Sequence, residues 1–241
     1  MRRTLGIVSL TTALVFSANG YAAEQIYVQA SKGSFNDAAI QRLFAEQPGL
    51  EAAVRFAGTP LNTFEQAASS EALAFSAVEN STIDGKLVQA TVKAFQQYQL
   101  VDVKAFITTP IEMCVLQPKS DAEKGVKINT IASHPAALKQ IDSWKHSFKP
   151  AELEIPEGTA AAARMVSAGE LPSGTAAIGA CVLNTVYPNL AIVEQGVQDN
   201  KNNKTSFMLM DVEPRSASIS EPQARAELAA AIELGKKLAT R

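Results

Sequence analysis

The 241-residue chain is poor in residues that carry metal and redox chemistry: two cysteines, two histidines and one tryptophan. Cys114, Cys181, His134 and His146 stand in no ligand-like spacing, which argues against a structural zinc site. Charge is also sparse and evenly mixed. Lys and Arg number 22 and Asp and Glu 24, a formal net charge of −2. No basic block exists to neutralise phosphates, so nucleic acid is not an expected partner. Long apolar runs are missing after residue 23, so no membrane span is expected there.

The one sustained apolar run lies at the start. Arg2 and Arg3 precede apolar residues 5–16, and small residues lead to a cleavage point after Ala22 or Ala23. This is the pattern of a secretory signal peptide over 1–22, too short to span a bilayer as a helix. The expected location is therefore periplasmic or secreted. Export would permit a disulfide. Cys114 nevertheless lies in an apolar run and Cys181 in an alanine-rich stretch read as helix, and two free, buried cysteines are the commoner reading of such positions.

Strand-like and helix-like segments alternate along the rest, which points to an α/β fold with a largely parallel sheet. Residues 26–30, 52–57 and 73–78 read as strands, with helices over 36–46, 61–68 and 86–99. The stretch 101–116 is extended but interrupted by Pro110, which cannot donate to a ladder, so the chain is expected to change sheets there. Pro135 opens a helix with Leu138, Ile141, Trp144 and Phe148 on one face. Residues 199–204 read as a mobile polar loop, 205–212 as a strong strand and 218–241 as a terminal amphipathic helix. Ser220 and Gln223 form a capping-box pair at the start of that helix.

Several short segments fall in a telling order. They are Lys32-Gly33-Ser34-Phe35, Val78-Glu79-Asn80-Ser81, Ser133-His134-Pro135, Glu157-Gly158-Thr159-Ala160-Ala161, Ala176-Ala177-Ile178-Gly179 and Asn203-Lys204-Thr205-Ser206-Phe207. In this order and spacing residues 26–215 resemble the catalytic domain of prephenate dehydratase. The resemblance implies two α/β lobes with a ligand cleft between them, a form similar to type II periplasmic binding proteins. Lobe one would hold 24–108 and 205–217, and lobe two 110–204, within a domain spanning 23–217. Many members carry a phenylalanine-sensing ACT domain after this one; the residues beyond 217 are too few to form it, so feedback inhibition by that route is not expected.

The implied reaction expels the ring hydroxyl of prephenate with loss of CO2 to give phenylpyruvate, a step in phenylalanine biosynthesis. Aromatisation drives it, so the protein must hold two carboxylates and supply a proton to the leaving oxygen. No metal or organic cofactor is expected, because the ring itself takes the electrons. Thr205 matches the family's catalytic threonine. Asn203, Thr205 and Phe207 would share one strand face, with Lys204 and Ser206 on the other. Where the family's last motif reads Thr-Arg-Phe, this chain has Ser206, which lacks the forked cationic donor.

The other expected substrate contacts sit at element ends. Glu79, Asn80 and Ser81 follow a strand's C-terminal end, where open α/β sheets bind ligands. Gly33 and Ser34 would form an anion-facing turn. Ser133 and His134, and Thr159 and Ala160, stand at helix starts, where free N–H groups suit carboxylates; routine capping by Ser and Thr is the alternative. Two functions are compatible with these residues: a dehydratase, or a periplasmic solute-binding protein that keeps the scaffold without catalysis. A monomer is expected for want of a large exposed apolar patch, with dimerisation through the terminal helix as the alternative.

Overall fold

A computed structural model of the protein describes residues 25–82 and 86–240. The leader-like segment 1–22 lies outside the described residues. Strand β1 (Gln25–Gln29) leads into α1 (Phe35–Glu46), β2 (Ala53–Gly58), α2 (Pro60–Ser69), β3 (Leu73–Asn80), α3 (Gln89–Phe95) and β4 (Tyr98–Pro110). The chain then crosses to β5 (Met113–Pro118), α4 (Lys119–Glu123), β6 (Thr130–Ser133), α5 (Pro135–Leu138) and α6 (Asp142–Phe148). Next come β7 (Ala151–Glu154), α7 (Thr159–Ser167), β8 (Thr175–Ala180), α8 (Leu183–Val186) and β9 (Leu190–Gln195). It returns through β10 (Lys204–Pro214) and ends in α9 (Glu221–Ala239).

These strands form two five-stranded sheets, ordered β2-β1-β3-β10-β4 and β7-β6-β8-β5-β9. Each is mixed: β1–β2, β1–β3, β6–β7 and β6–β8 pair parallel, while β10 pairs antiparallel with β3 and β4, and β5 with β8 and β9. The α/β fold of two lobes is as expected, but the sheets are not largely parallel: β10, returning from lobe two, and β5, entering it, each run antiparallel to both neighbours. Pro110 does end the last strand before the crossing. No helix among the described residues is long and apolar enough to cross a membrane.

Each sheet is covered on both faces, as a sheet with parallel crossovers must be. In lobe one, Phe75 and Phe207 stack at 5.6 Å between the sheet and α1, with Ile40 and Leu43 beside them. The opposite face packs Phe64, Phe95, Met208 and Met210 against α2, α3 and α9. Leu228, Ala231 and Ile232 of α9 belong to this core, so the terminal helix covers its own lobe. It starts as its sequence indicates: the Ser220 N–H donates to Gln223 Oε1 at 3.0 Å.

Four further sequence expectations need correction. Cys114 and Cys181 are not free; they form a disulfide with Cα atoms 5.1 Å apart. β5 and β8 lie antiparallel with Cys114 opposite Gly179, which brings Cys181, in a turn rather than a helix, across from the strand. The helix expected over 86–99 is shortened to α3, because the chain at 86–88 runs beside β3 and β4 begins at Tyr98: the Asn80 N–H donates to the Lys86 carbonyl and the Val88 N–H to that of Val78. The helix opened by Pro135 breaks in two at residues 139–141, where the Asp199 N–H donates to the Gln140 carbonyl. Finally, the 199–204 run is anchored at both ends: Asp199 accepts from the Asp142 and Ser143 N–H groups, and Asn203 is buried.

Candidate active site

The two crossings between lobes meet each other: the Ile111 N–H donates to the Asn203 carbonyl at 2.9 Å. Above this junction lies a cleft of about 570 Å³. Lobe one lines it with Phe35, Asn36, Asn80 and Thr82, and lobe two with Met113, His134, Gln140 and Thr159. Asn203, Thr205 and Phe207 form its floor. Their alternation on β10 places all three on the cleft side.

Thr205 is 7% exposed, and its Oγ1 accepts from Asn80 Nδ2 at 2.7 Å. The register explains the meeting, since Thr205 lies opposite Asn80 in the β10–β3 ladder. Asn80 Nδ2 also donates to Asn203 Oδ1 at 3.0 Å, while Asn80 Oδ1 accepts from the Thr82 N–H and hydroxyl. Turning the amide round would set its oxygen against Asn203 Oδ1 and its NH2 against the Thr82 N–H, so its orientation is set. With one lone pair of Thr205 Oγ1 taken by the amide, the threonine proton is available to an acceptor in the cleft.

From lobe two, Gln140 Oε1 accepts from Asn203 Nδ2 at 3.2 Å, which ties the floor to the opposite wall. His134 Nδ1 accepts the Ala136 N–H at 3.1 Å and caps α5; Nε2 is then the donor nitrogen of the neutral ring. Thr159 is the first residue of α7, and its hydroxyl and the free N–H groups of that helix end stand at the rim. Asp199 holds the wall from behind. Burial pushes its carboxyl up, but the Ser143 N–H and hydroxyl, the Asp142 N–H and nearby Lys145 outweigh that and keep it below the usual carboxylate range.

The remaining expected contacts are placed elsewhere. Ser133 is fully buried and donates to the Ile178 carbonyl at 2.6 Å, so its hydroxyl serves β6–β8 packing. Ser81 is exposed and exchanges bonds with the 202–204 backbone. Ala160 is buried in the lobe-two core. Ser34 caps α1 through the Asp37 N–H. Gly33, at φ +84°, faces lobe two so closely that a Cβ would lie 2.5 Å from Leu183. Glu79 and Ser206 point to the far side of the sheet, 3.5 Å from one another. The serine at 206 therefore leaves the cleft wall itself unchanged.

Three polar lining residues, Asn36, Thr82 and Gln140, were not among the sequence expectations. Asn36 is 8% exposed, and its Oδ1 has no protein partner among the described residues. Gln140 sits in the break between α5 and α6. Asn36 follows the Gly33-Ser34-Phe35 turn and could have been flagged as a polar residue opening α1; Gln140 depends on the helix break and carried no signal. No Lys, Arg, Asp or Glu lines the cleft among the described residues. Arg164 pairs with Glu170, and Arg215 with Glu227 and the Phe95 and Tyr98 carbonyls, both away from it.

The sequence profile of the prephenate dehydratase family matches residues 26–215. The chain belongs to that family. It is 32% identical to the prephenate dehydratase of Lactococcus lactis subsp. cremoris over 154 residues, 63% of this chain and 52% of that protein. Against the Amycolatopsis methanolica prephenate dehydratase it is 35% identical over 134 residues, 55% of this chain and 41% of the relative. The chain spans about half the length of the curated relatives it matches. Among solved structures, the Arthrobacter aurescens prephenate dehydratase in complex with L-Phe superposes with a TM-score of 0.64 at 21% identity, covering 81% of this chain and 61% of that one. GqqA, described as a novel type of quorum quenching acylase, gives 0.59 at 21% identity, covering 81% and 66%. At that identity both speak for the fold.

Proposed function

We propose that this family member dehydrates and decarboxylates prephenate to phenylpyruvate, with Thr205 assisting departure of the ring hydroxyl. The observation that carries this reading is the 2.7 Å bond from Asn80 to Thr205 Oγ1 on the cleft floor. It leaves the threonine proton to the substrate, where a positioned donor is needed as the C–O bond breaks. The substrate carboxylates are met by neutral donors: the α7 N-terminus, His134 Nε2 and the Asn36 Nδ2 group. Several such bonds to one anion can stand in for a cation. Phe207, stacked on Phe75, offers an apolar floor to the ring.

The Cys114–Cys181 disulfide and the leader-like N-terminus support an exported protein, because such a bond persists in oxidising compartments. The coverage of its own lobe by α9 supports a monomer. Purified protein incubated with prephenate is expected to form phenylpyruvate, followed by its absorbance in alkali. A rate no higher than the spontaneous one sinks the enzymatic reading; thermal stabilisation by prephenate without turnover points instead to a solute-binding role.

A further inference from the structure

The side of β10 turned away from the cleft carries a second cluster, which the chemistry above does not use. Ser206 Oγ lies 2.9 Å from Thr108 Oγ1 and 3.5 Å from Glu79 Oε2. Lys236 of α9 brings its ammonium within 3.5 Å of that same Glu79 oxygen, and within 3.1 Å of Glu233. The helix can approach this closely because residue 235 is glycine: a Cβ there would lie 2.6 Å from the Phe106 ring. Glycine disfavours a helix interior, so its place in the buried face of α9 marks where backbone must come near the sheet.

The cluster sits one residue from both polar groups of the cleft floor. Register pairs Ser206 with Glu79 and Thr205 with Asn80, and the ladder shifts between Ser206 and Phe207. Where a bulge disrupts the ladder, the side chains flanking it help set the local backbone. The Glu79 side chain is 18% exposed, so its charge is poorly hydrated and needs a partner. Ser206 supplies no charge. Among the described residues Lys236 is the cation that reaches Glu79.

We infer that Lys236 is a positioning residue for the cleft. From the terminal helix it holds Glu79, and through Glu79 and Ser206 it holds the ends of β3 and β10 that present Asn80 and Thr205. A cation that could have come from position 206 is delivered instead by α9, which makes that helix part of the site's support and not only a cover for the core. The activity readout rests on the dehydratase reading; a second readout does not.

The test compares the full chain with Lys236→Met, Lys236→Arg, the exposed neighbour Lys237→Met, and the double variant Lys236→Met/Ser206→Arg. Lys236→Met is expected to lower kcat about tenfold with KM within about twofold, since the loss lies in the alignment of Thr205 and not in substrate contacts. Lys236→Arg and the double variant should restore most of kcat, and Lys237→Met should match the parent. A helix contact that merely aids folding would not be rescued by a cation arriving from a different strand. An unchanged kcat in Lys236→Met, or a loss that Ser206→Arg leaves unrepaired, overturns the proposal. If the parent shows no turnover, the dehydratase reading fails by itself, and amide exchange at Asn80 and Thr205 decides. Faster exchange in Lys236→Met that Ser206→Arg reverses supports the role; unchanged exchange overturns it.

Discussion

Lobe one is built around two long strands and lobe two from short pieces held by a covalent bond. β4 and β10 run 13 and 11 residues side by side, whereas the strands of the second sheet run four to six. Three helices of lobe two, α4, α5 and α8, have five residues or fewer. Such helices cannot sustain themselves by propensity. α5 and α8 are kept in place by the cores on the two faces of the sheet, and the Cys114–Cys181 bridge closes 67 residues of sequence. The lesson is a division of labour. The Thr205 hydroxyl and its Asn80 partner are fixed by ladder register in lobe one, and lobe two contributes helix ends and the Gln140 loop.

That contrast is most sharply tested at the disulfide. Replacing both cysteines by alanine frees a 67-residue loop in the unfolded chain and is expected to cost about 4 kcal/mol by the chain-entropy estimate. The loss should fall on lobe two. Amide exchange in β5 and β8 should accelerate far more than in β4 and β10; equal acceleration would show that the lobes unfold as one unit.

Next in size is the cleft floor. Thr205→Ala is expected to reduce kcat about a hundredfold, roughly 3 kcal/mol of transition-state stabilisation, with KM changed much less. Thr205→Ser, which keeps the hydroxyl, should retain part of the activity. Steady-state kinetics with prephenate checks both, and an intact kcat in Thr205→Ala would remove the residue from the proposed chemistry.

The smallest effect concerns the wall of lobe two. Asp199 accepts two N–H bonds at the start of α6, so Asp199→Ala should lower stability by about 1 kcal/mol, the worth of a helix cap. Its carboxyl is held below the usual range, so the stabilisation is present above the unfolded value of about 3.9 and disappears as pH falls through the lower folded value. Urea melts at pH 7 should separate the variant from the parent, and the two curves should converge as the pH is taken below about 4.

Much of this arrangement is legible in the order of the amino acids alone. Alternating strand and helix patterns indicate an α/β chain, Pro110 marks the change of sheet, and the period-two alternation of Asn203, Thr205 and Phe207 puts them on one side of β10. These features follow from local sterics: proline lacks a donor, and successive strand side chains face opposite ways. What local rules could not reach were pairings made over long separations. The disulfide requires β5 to lie beside β8 after two intervening crossovers, the break at 139–141 requires Asp199 to arrive from the far hinge, and the Lys236–Glu79 pair joins β3 to the terminal helix α9. The burial of Ser133 was settled by which neighbours the sheets supplied. Sequence therefore determined the elements and their faces, because those depend on residues a few positions apart. Tertiary structure decided which faces meet, because that depends on register between strands, and register is set by the packing of the whole lobe.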